Sequence, residues 1–91
     1  DIKALAKKFN DTHGRAMTYE NACEILYGPQ WVYGMTLTDH KTAAILFVES
    51  ARLEERKKVI DEVSKLSKVY FMSANALDQW EIFVAEIESL K

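Results

Sequence analysis

Residues 36–50 read TLTDHKTAAILFVES, and the conformation of this stretch decides the fold class of the chain. Its second part, from Lys41 to Glu49, is almost entirely apolar and rich in Ile, Val and Phe. Such a short apolar run is typical of a central β-strand that is covered on both faces. Before it, residues 31–37 alternate in a way that predicts a second strand with one aromatic face. Residues 38–41 are a short polar connection, so we predict an antiparallel β-hairpin.

Two helices are predicted ahead of this hairpin. Residues 1–9 place apolar side chains three and four positions apart, which is the spacing of one helix face. Thr18 is a suitable N-cap for a second short helix. Gly28 and Pro29 end that helix, because glycine adopts a left-handed cap and proline cannot continue a helix.

The elements after the hairpin complete the predicted architecture. Ser50 is the predicted N-cap of a long amphipathic helix, and residues 69–72 are predicted to form a short strand after that helix. A strand, a helix and a second strand in one sheet normally form a right-handed crossover, so this strand is expected to be parallel to the strand it neighbours in the sheet. The last helix begins at Ser73 or Asn75, and its apolar stripe extends to Leu90. The order α-α-β-β-α-β-α therefore predicts an α+β fold, in which a three-stranded mixed sheet packs with about four helices.

The length and composition of the chain limit the classes of protein to which it can belong. A chain of 91 residues with 48% hydrophobic and 29% charged residues is expected to form a single domain over residues 1–91. The longest apolar run, residues 43–48, is far shorter than the roughly 20 residues of a membrane span, so no membrane association is expected. A net charge of −2 without a basic stripe argues against nucleic acid as the main partner.

The single cysteine, Cys23, cannot form an internal disulfide, and no CxxC or His/Cys spacing offers a metal site. We therefore expect no metal and no cofactor, and a reducing, cytoplasmic setting. Cys23 lies near the apolar face of the second predicted helix, and a cysteine in that position usually behaves as a small buried hydrophobe.

Two polar motifs are candidates for chemistry. Asp39-His40-Lys41 is interpreted as the solvated tip of the hairpin, because adjacent side chains in a turn point in different directions; the alternative is a general-base role for His40. His13-Gly14-Arg15 is interpreted as a helix C-cap, since a phosphate loop needs several glycines. No coherent catalytic set is present, which favours a binding protein over an enzyme.

Aromatic residues gather around the Gly28-Pro29 corner. We assign Tyr27, Trp31 and Tyr33 there, together with His40, to a partner-binding surface, because Trp and Tyr bring large contact area with few rotatable bonds. The alternative is that Trp31 and Tyr33 cover the core. The open sheet edges offer a second means of association, either with another protein or within a homodimer.

The leading hypothesis is thus a small soluble intracellular regulatory or inhibitory protein that acts by protein–protein binding. The alternative hypothesis is a DNA-binding regulator, because two short N-terminal helices followed by a hairpin have the order of a helix-turn-helix with a wing. Against it, the second helix carries Glu20 and Glu24 and few side chains that read bases. A third option, a small hydrolase or transferase, would depend on His40.

Overall fold

The computed structural model describes residues 1–89, and within this range the chain is helical and contains no β-strand. The predicted three-stranded sheet, and with it the α+β class, is therefore wrong. The α-helices are α1 (Ile2–His13), α2 (Tyr19–Tyr27), α3 (Leu37–Ser50), α4 (Arg56–Lys65), α5 (Ser67–Tyr70) and α6 (Ala74–Ser89), and two 3₁₀ turns span Trp31–Tyr33 and Leu53–Glu55. None of the helices in residues 1–89 combines the length and apolar character needed to cross a bilayer.

The apolar run of residues 41–49 lies inside α3 rather than in a strand. This helix packs against α1, α2, α4 and α6, so it is covered on most of its circumference. A helix that is apolar almost all round shows little amphipathic periodicity, and a short apolar run of this kind resembles a buried strand. The central position of α3 in the molecule explains why its sequence was misread.

The start of α3 is fixed by a reciprocal capping box. The Thr36 hydroxyl accepts a hydrogen bond from the Asp39 backbone N–H at 3.1 Å, and the Asp39 carboxylate accepts one from the Thr36 N–H at 3.1 Å. These two bonds satisfy backbone donors that the first turn of a helix otherwise leaves unpaired. Residues 38–41, predicted as a hairpin connection, are thus the first turn of a helix.

The other two predicted strands are also helical or irregular. Trp31–Tyr33 is a single 3₁₀ turn, named here the aromatic turn, which ends at Gly34. Of residues 69–72, the first two are the last two residues of α5, and Phe71, which follows them, has extended backbone angles. Because no strand pairs with another among residues 1–89, the hairpin, the crossover and the sheet edges predicted for association are all absent there.

Several predicted helix ends are confirmed. Gly14 ends α1 in the left-handed region with φ of 66°, although α1 continues four residues past the predicted stretch of residues 1–9. Gly28 ends α2 with a positive φ of 81°, but its ψ of 179° is extended rather than that of the predicted left-handed cap. Thr18 caps α2, accepting a hydrogen bond from the Asn21 N–H at 3.2 Å. Near the start of α6, the Ser73 hydroxyl accepts a hydrogen bond from the Ala76 N–H at 3.2 Å. These ends were predictable because each depends on neighbouring residues alone.

Ser50 is not the N-cap of the following helix but the last residue of α3. Its buried hydroxyl accepts a hydrogen bond from the Met17 N–H at 2.8 Å and donates one to Asn10 Oδ1 at 2.7 Å. The Asn10 amide in turn donates to the Ser50 carbonyl at 2.9 Å. This network ties the end of α3 to α1 and to the loop before α2. Leu90, predicted as the end of the last apolar stripe, lies outside the described residues.

The second half of the core forms around Trp80 on α6. Its side chain is 1% exposed, and its indole N–H donates to the Val63 carbonyl of α4 at 3.0 Å. The rings of Phe71 and Phe83 lie 4.9 Å and 5.1 Å from Trp80. A buried indole with its N–H paired stabilises the packing of α4 against α6 without leaving a polar group unsatisfied.

Candidate functional site

The aromatic turn lies between α2 and α3 and contains two of the predicted site residues, Trp31 and Tyr33, which differ in exposure. Trp31 is 9% exposed and belongs to the core, as the alternative interpretation held for it. Tyr33, two residues later, is 90% exposed, and Val32 between them is 64% exposed. The turn closes on α2 through the Trp31 N–H, which donates to the Gly28 carbonyl at 3.3 Å. A buried anchor therefore holds two exposed apolar side chains on a short, structured turn.

Tyr27 lies at the end of α2, beside the first turn of α3. Its hydroxyl donates a hydrogen bond to the Asp39 backbone carbonyl at 3.3 Å, and its ring is partly exposed. Burial of the phenol raises the pKa of Tyr27, with a smaller contribution in the opposite direction from Thr42. Tyr27 thus links the two helices on either side of the aromatic turn.

His40 lies in the core rather than at a solvated tip, so that prediction is wrong. The residue is 6% exposed, because position 40 is in the first turn of α3 and on the side that faces α2. Its Nδ1 atom lies 2.6 Å from the Tyr19 hydroxyl oxygen. The same hydroxyl lies 3.3 Å from the His40 backbone carbonyl. Tyr19 therefore holds the imidazole through the nitrogen that faces α2.

Aromatic rings surround the His40 imidazole. The Tyr70 ring lies 4.6 Å away, and the Phe71 ring lies 5.3 Å away at 89° to it. Tyr70 also meets Trp31, with 6.4 Å between ring centroids. The site thus joins α2, the aromatic turn, α3 and the segment after α5.

Tyr19, Tyr70 and Phe71 were not among the predicted site residues. The last two were assigned to a strand, and nothing local indicates that they meet residues 30 positions earlier. One available signal was the pattern Thr36-Leu37-Thr38-Asp39, which has the spacing of a capping box. It would have placed His40 in the first turn of a helix.

Burial sets the protonation state of the site. It lowers the pKa of His40, an effect that the nearby Asp39 carboxylate partly opposes. It raises the pKa of Tyr19 well above the usual range for a phenol, with a further contribution from Cys23, and it also raises the pKa of Tyr70. His40, Tyr19 and Tyr70 are therefore all neutral at pH 7.

A small pocket of about 180 Å³ opens beside the imidazole, and we name it the aromatic pocket. It is lined by Trp31, Val32, Tyr33, Gly34, Met35, His40 and Tyr70. Among residues 1–89, every fully buried side-chain nitrogen or oxygen has a hydrogen-bond partner. His40 is one of the residues that line this pocket, and within residues 1–89 its Nε2 atom has no hydrogen-bond partner in the protein.

The remaining candidates for chemistry are structural. Cys23 is fully buried, as its position on the apolar face predicted, and burial raises the pKa of its thiol to about 11. A protonated, inaccessible thiol is a poor nucleophile. In the described part of the chain, no group of three His, Cys, Asp or Glu side chains is arranged to hold a metal ion.

The His13-Gly14-Arg15 motif forms the predicted helix C-cap. Gly14 donates its backbone N–H to the Asn10 carbonyl at 2.8 Å. The Arg15 guanidinium lies 5.2 Å from the centre of the Phe9 ring and donates to the Asn21 side chain at 3.3 Å. The guanidinium is thus engaged with the ring and the amide rather than poised over a phosphate loop.

Comparison of the chain with protein-family models, curated proteins and solved structures found no match. The DNA-binding hypothesis required a β-hairpin wing, and residues 1–89 contain no strand that could form one. In addition, α1 and α2 pack mainly against α3. The site is therefore interpreted from its own geometry.

Proposed function

We propose that this protein is a regulatory or inhibitory protein that binds another protein through the aromatic turn. The observation that carries the proposal is the 90% exposure of Tyr33 beside the 64% exposed Val32. Tyrosine is enriched among the residues that dominate binding energy at protein interfaces. A large aromatic side chain left almost wholly in solvent contributes little to the free energy of folding. We therefore expect Tyr33 to contribute binding energy in a complex.

The support beneath the turn favours binding. Trp31, next to the two exposed residues in the sequence, is buried in the core, and the Tyr27 hydroxyl ties the end of α2 to the first turn of α3. Because the backbone is already held in place, less conformational entropy is lost when a partner docks. Tyr33 is thus a side chain with few rotatable bonds on a structured turn.

Two more exposed apolar side chains belong to the proposed surface. Val69 is 70% exposed and Met72 is 97% exposed, and they flank Tyr70 and Phe71, whose rings pack on His40. Methionine adapts its shape to different partners. We define the proposed binding surface as Val32, Tyr33, Val69 and Met72, with the aromatic pocket at its side.

The proposed setting is a cytoplasmic one, in which the protein is soluble. It is supported by the lone, buried Cys23, whose free thiol suits a reducing compartment. The favoured partner is a different protein. A second copy of the chain is the other possible occupant, and the experiment below distinguishes the two.

The test is affinity capture from a lysate of the source organism with the tagged protein as bait. The informative variant replaces Val32 and Tyr33 together by alanine. The matched control is Ile82→Ala, because Ile82 on α6 is also exposed and apolar, at 62%. Trp31 is left unchanged, because truncating a buried indole would destabilise the fold.

We expect the double variant to retain several-fold less of a captured protein than the wild type, while Ile82→Ala retains the wild-type amount. Thermal unfolding of each variant verifies that it is folded. Equal retention by all three proteins would contradict the proposal. Recovery of the untagged chain alone, together with a dimeric mass in sedimentation, would identify a homodimer.

A further inference from the structure

The sulfur atoms of this chain differ sharply in their exposure. There are four, in one cysteine and three methionines, and all of them lie within the described residues 1–89. Met72 is 97% exposed, whereas Met17 is 3% exposed and Cys23 is fully buried. Met35 is partly buried and packs against the core. A dissolved oxidant therefore meets the sulfur of Met72 before the other three.

The other side chains that oxidants attack are protected. Cysteine reacts as its thiolate, and burial raises the pKa of Cys23 to about 11, so its thiol stays protonated at neutral pH. The two indoles are also buried, since Trp31 is 9% exposed and Trp80 is 1% exposed. Oxidation of the folded protein is therefore directed to one position.

The residue before Met72 holds it at the surface. Phe71 is 8% exposed, and its ring lies 4.9 Å from that of Trp80 and 5.3 Å from that of His40. This anchor belongs to the core, whereas the Met72 side chain is left in solvent. A chemical change at the Met72 sulfur should thus alter the surface of the protein without disturbing its packing.

Oxidation of a thioether is a reversible modification. The sulfur attacks one oxygen of a hydroperoxide, so that an S–O bond forms while the O–O bond breaks. The sulfur is oxidised to a sulfoxide, and the hydroperoxide is reduced to water or an alcohol. Methionine sulfoxide reductases reverse the change, releasing the oxygen as water while two thiols become a disulfide. In between, a polar and chiral group stands in place of an apolar one.

We propose that Met72 is a site of reversible oxidation by hydroperoxides, and that its sulfoxide weakens the docking of a partner on the proposed binding surface. The second part rests on the proposed function and specifies its regulation. On that surface Met72 is grouped with Val32, Tyr33 and Val69, which are apolar or aromatic and exposed. A sulfoxide oxygen among them would lose its water when an apolar partner surface covers it, and this desolvation opposes binding.

The oxidation site is tested on the purified protein alone. Dilute hydrogen peroxide is added, and peptide mapping by mass spectrometry follows the gain of oxygen at each sulfur with time. We expect Met72 to react several-fold faster than Met17 and Met35, while Cys23 stays unmodified. In urea the three methionines should react at similar rates, which shows that folding is the cause of the difference. Reaction of Met17 or Met35 as fast as Met72 in the folded protein, or prior oxidation of Cys23, would overturn the site.

Two substitutions separate polarity from reactivity at this position. Met72→Leu keeps an apolar side chain that cannot take up oxygen, and Met72→Gln places a polar side chain of similar length there. Retention on a hydrophobic-interaction column, which needs no partner, should decrease for the oxidised wild type and for Met72→Gln. Treatment with sulfoxide reductases and a thiol should restore the retention of the wild type. Peroxide should not change the retention of Met72→Leu, and thermal unfolding should be the same for all of these proteins. An unchanged retention of the oxidised wild type would show that Met72 does not alter the surface.

Affinity capture then tests the regulation. We expect peroxide-treated wild type and Met72→Gln to retain several-fold less of the captured protein than untreated wild type. Met72→Leu should retain the wild-type amount with or without peroxide. If capture depends on Val32 and Tyr33 but not on oxidation of Met72, the regulation is wrong and the proposed function stands. If capture is the same without Val32 and Tyr33, the proposed function fails, and the peptide map still decides whether Met72 is the oxidation site.

Discussion

At the scale of single residues, the contact between Tyr19 and His40 determines how the site is built. The hydroxyl oxygen lies 2.6 Å from Nδ1, and both side chains are buried. A hydrogen bond in such surroundings contributes little net stability when it is made, but leaving one partner unpaired is costly. No local pattern in the sequence indicates that folding brings Tyr19 and His40 together.

Tyr19→Phe removes the hydroxyl while keeping the ring that packs on Phe47, 5.9 Å away. Because Nδ1 of His40 would then be buried without a partner, we expect the free energy of unfolding to fall by about 1–3 kcal/mol. Urea denaturation measures this change. Tyr33→Phe is the control, since its ring is 90% exposed and its loss of a hydroxyl should alter stability very little. Equal stability of the two variants would refute the role of the Tyr19 hydroxyl.

His40 makes stability depend on pH. Its pKa is lowered by burial in the folded state, whereas in the unfolded chain it stays near 6.5. Below that value the unfolded state binds more protons, so the free energy of unfolding should decrease as the pH falls from about 7 to about 5.

The measurement is thermal unfolding across this pH range for the wild type, His40→Gln and His13→Gln. Carboxylates add their own pH dependence, so the comparison between variants carries the result. His40→Gln should flatten the dependence, and His13→Gln, which removes an exposed imidazole, controls for the substitution itself. If removing His40 left the pH dependence unchanged, its burial as a neutral ring would be wrong.

At the scale of elements, α3 is the helix on which the fold depends. It starts at the capping box of Thr36 and Asp39 and ends at the buried Ser50. We expect Thr36→Ala to lower the free energy of unfolding by about 1 kcal/mol, because the side-chain oxygen that caps the Asp39 N–H is lost.

Thr38→Ala is the matched control, because Thr38 is an exposed threonine in the first turn of the same helix. Alanine has the higher helix propensity, so this change should be neutral or slightly stabilising. Urea denaturation of the two variants side by side checks the prediction. A loss of similar size in both would show that the capping box is not the cause.

The elements also show which parts of the fold were predictable from the sequence. The ends of α1 and α2 were predicted, because Gly14, Thr18 and Gly28 act through their immediate neighbours. The segment at residues 41–49 was misassigned, because packing against four other helices requires apolar residues on most sides of α3. Local periodicity is lost when burial is nearly complete.

At the scale of the whole molecule, three separated segments meet at the aromatic pocket. The aromatic turn, the start of α3 and the end of α5 contribute Trp31, His40 and Tyr70. Tyr27, Trp31, Tyr33 and His40 were predicted as one exposed group, but only Tyr33 is largely exposed, whereas Trp31 and His40 are buried. Such long-range packing is not encoded in any short pattern, so the pocket was not predictable. That residues 1–91 form a single domain, and that the aromatic residues bind a partner, remain predictions.

The central claim is that a partner docks on the aromatic turn, and site-specific photocrosslinking tests it most directly. A photoreactive phenylalanine analogue replaces Tyr33 in one sample and Ile82 in another, two exposed positions on different elements. The account predicts a discrete crosslinked protein from position 33 and none from position 82. The same crosslinked protein from both positions, or none from position 33, would contradict it.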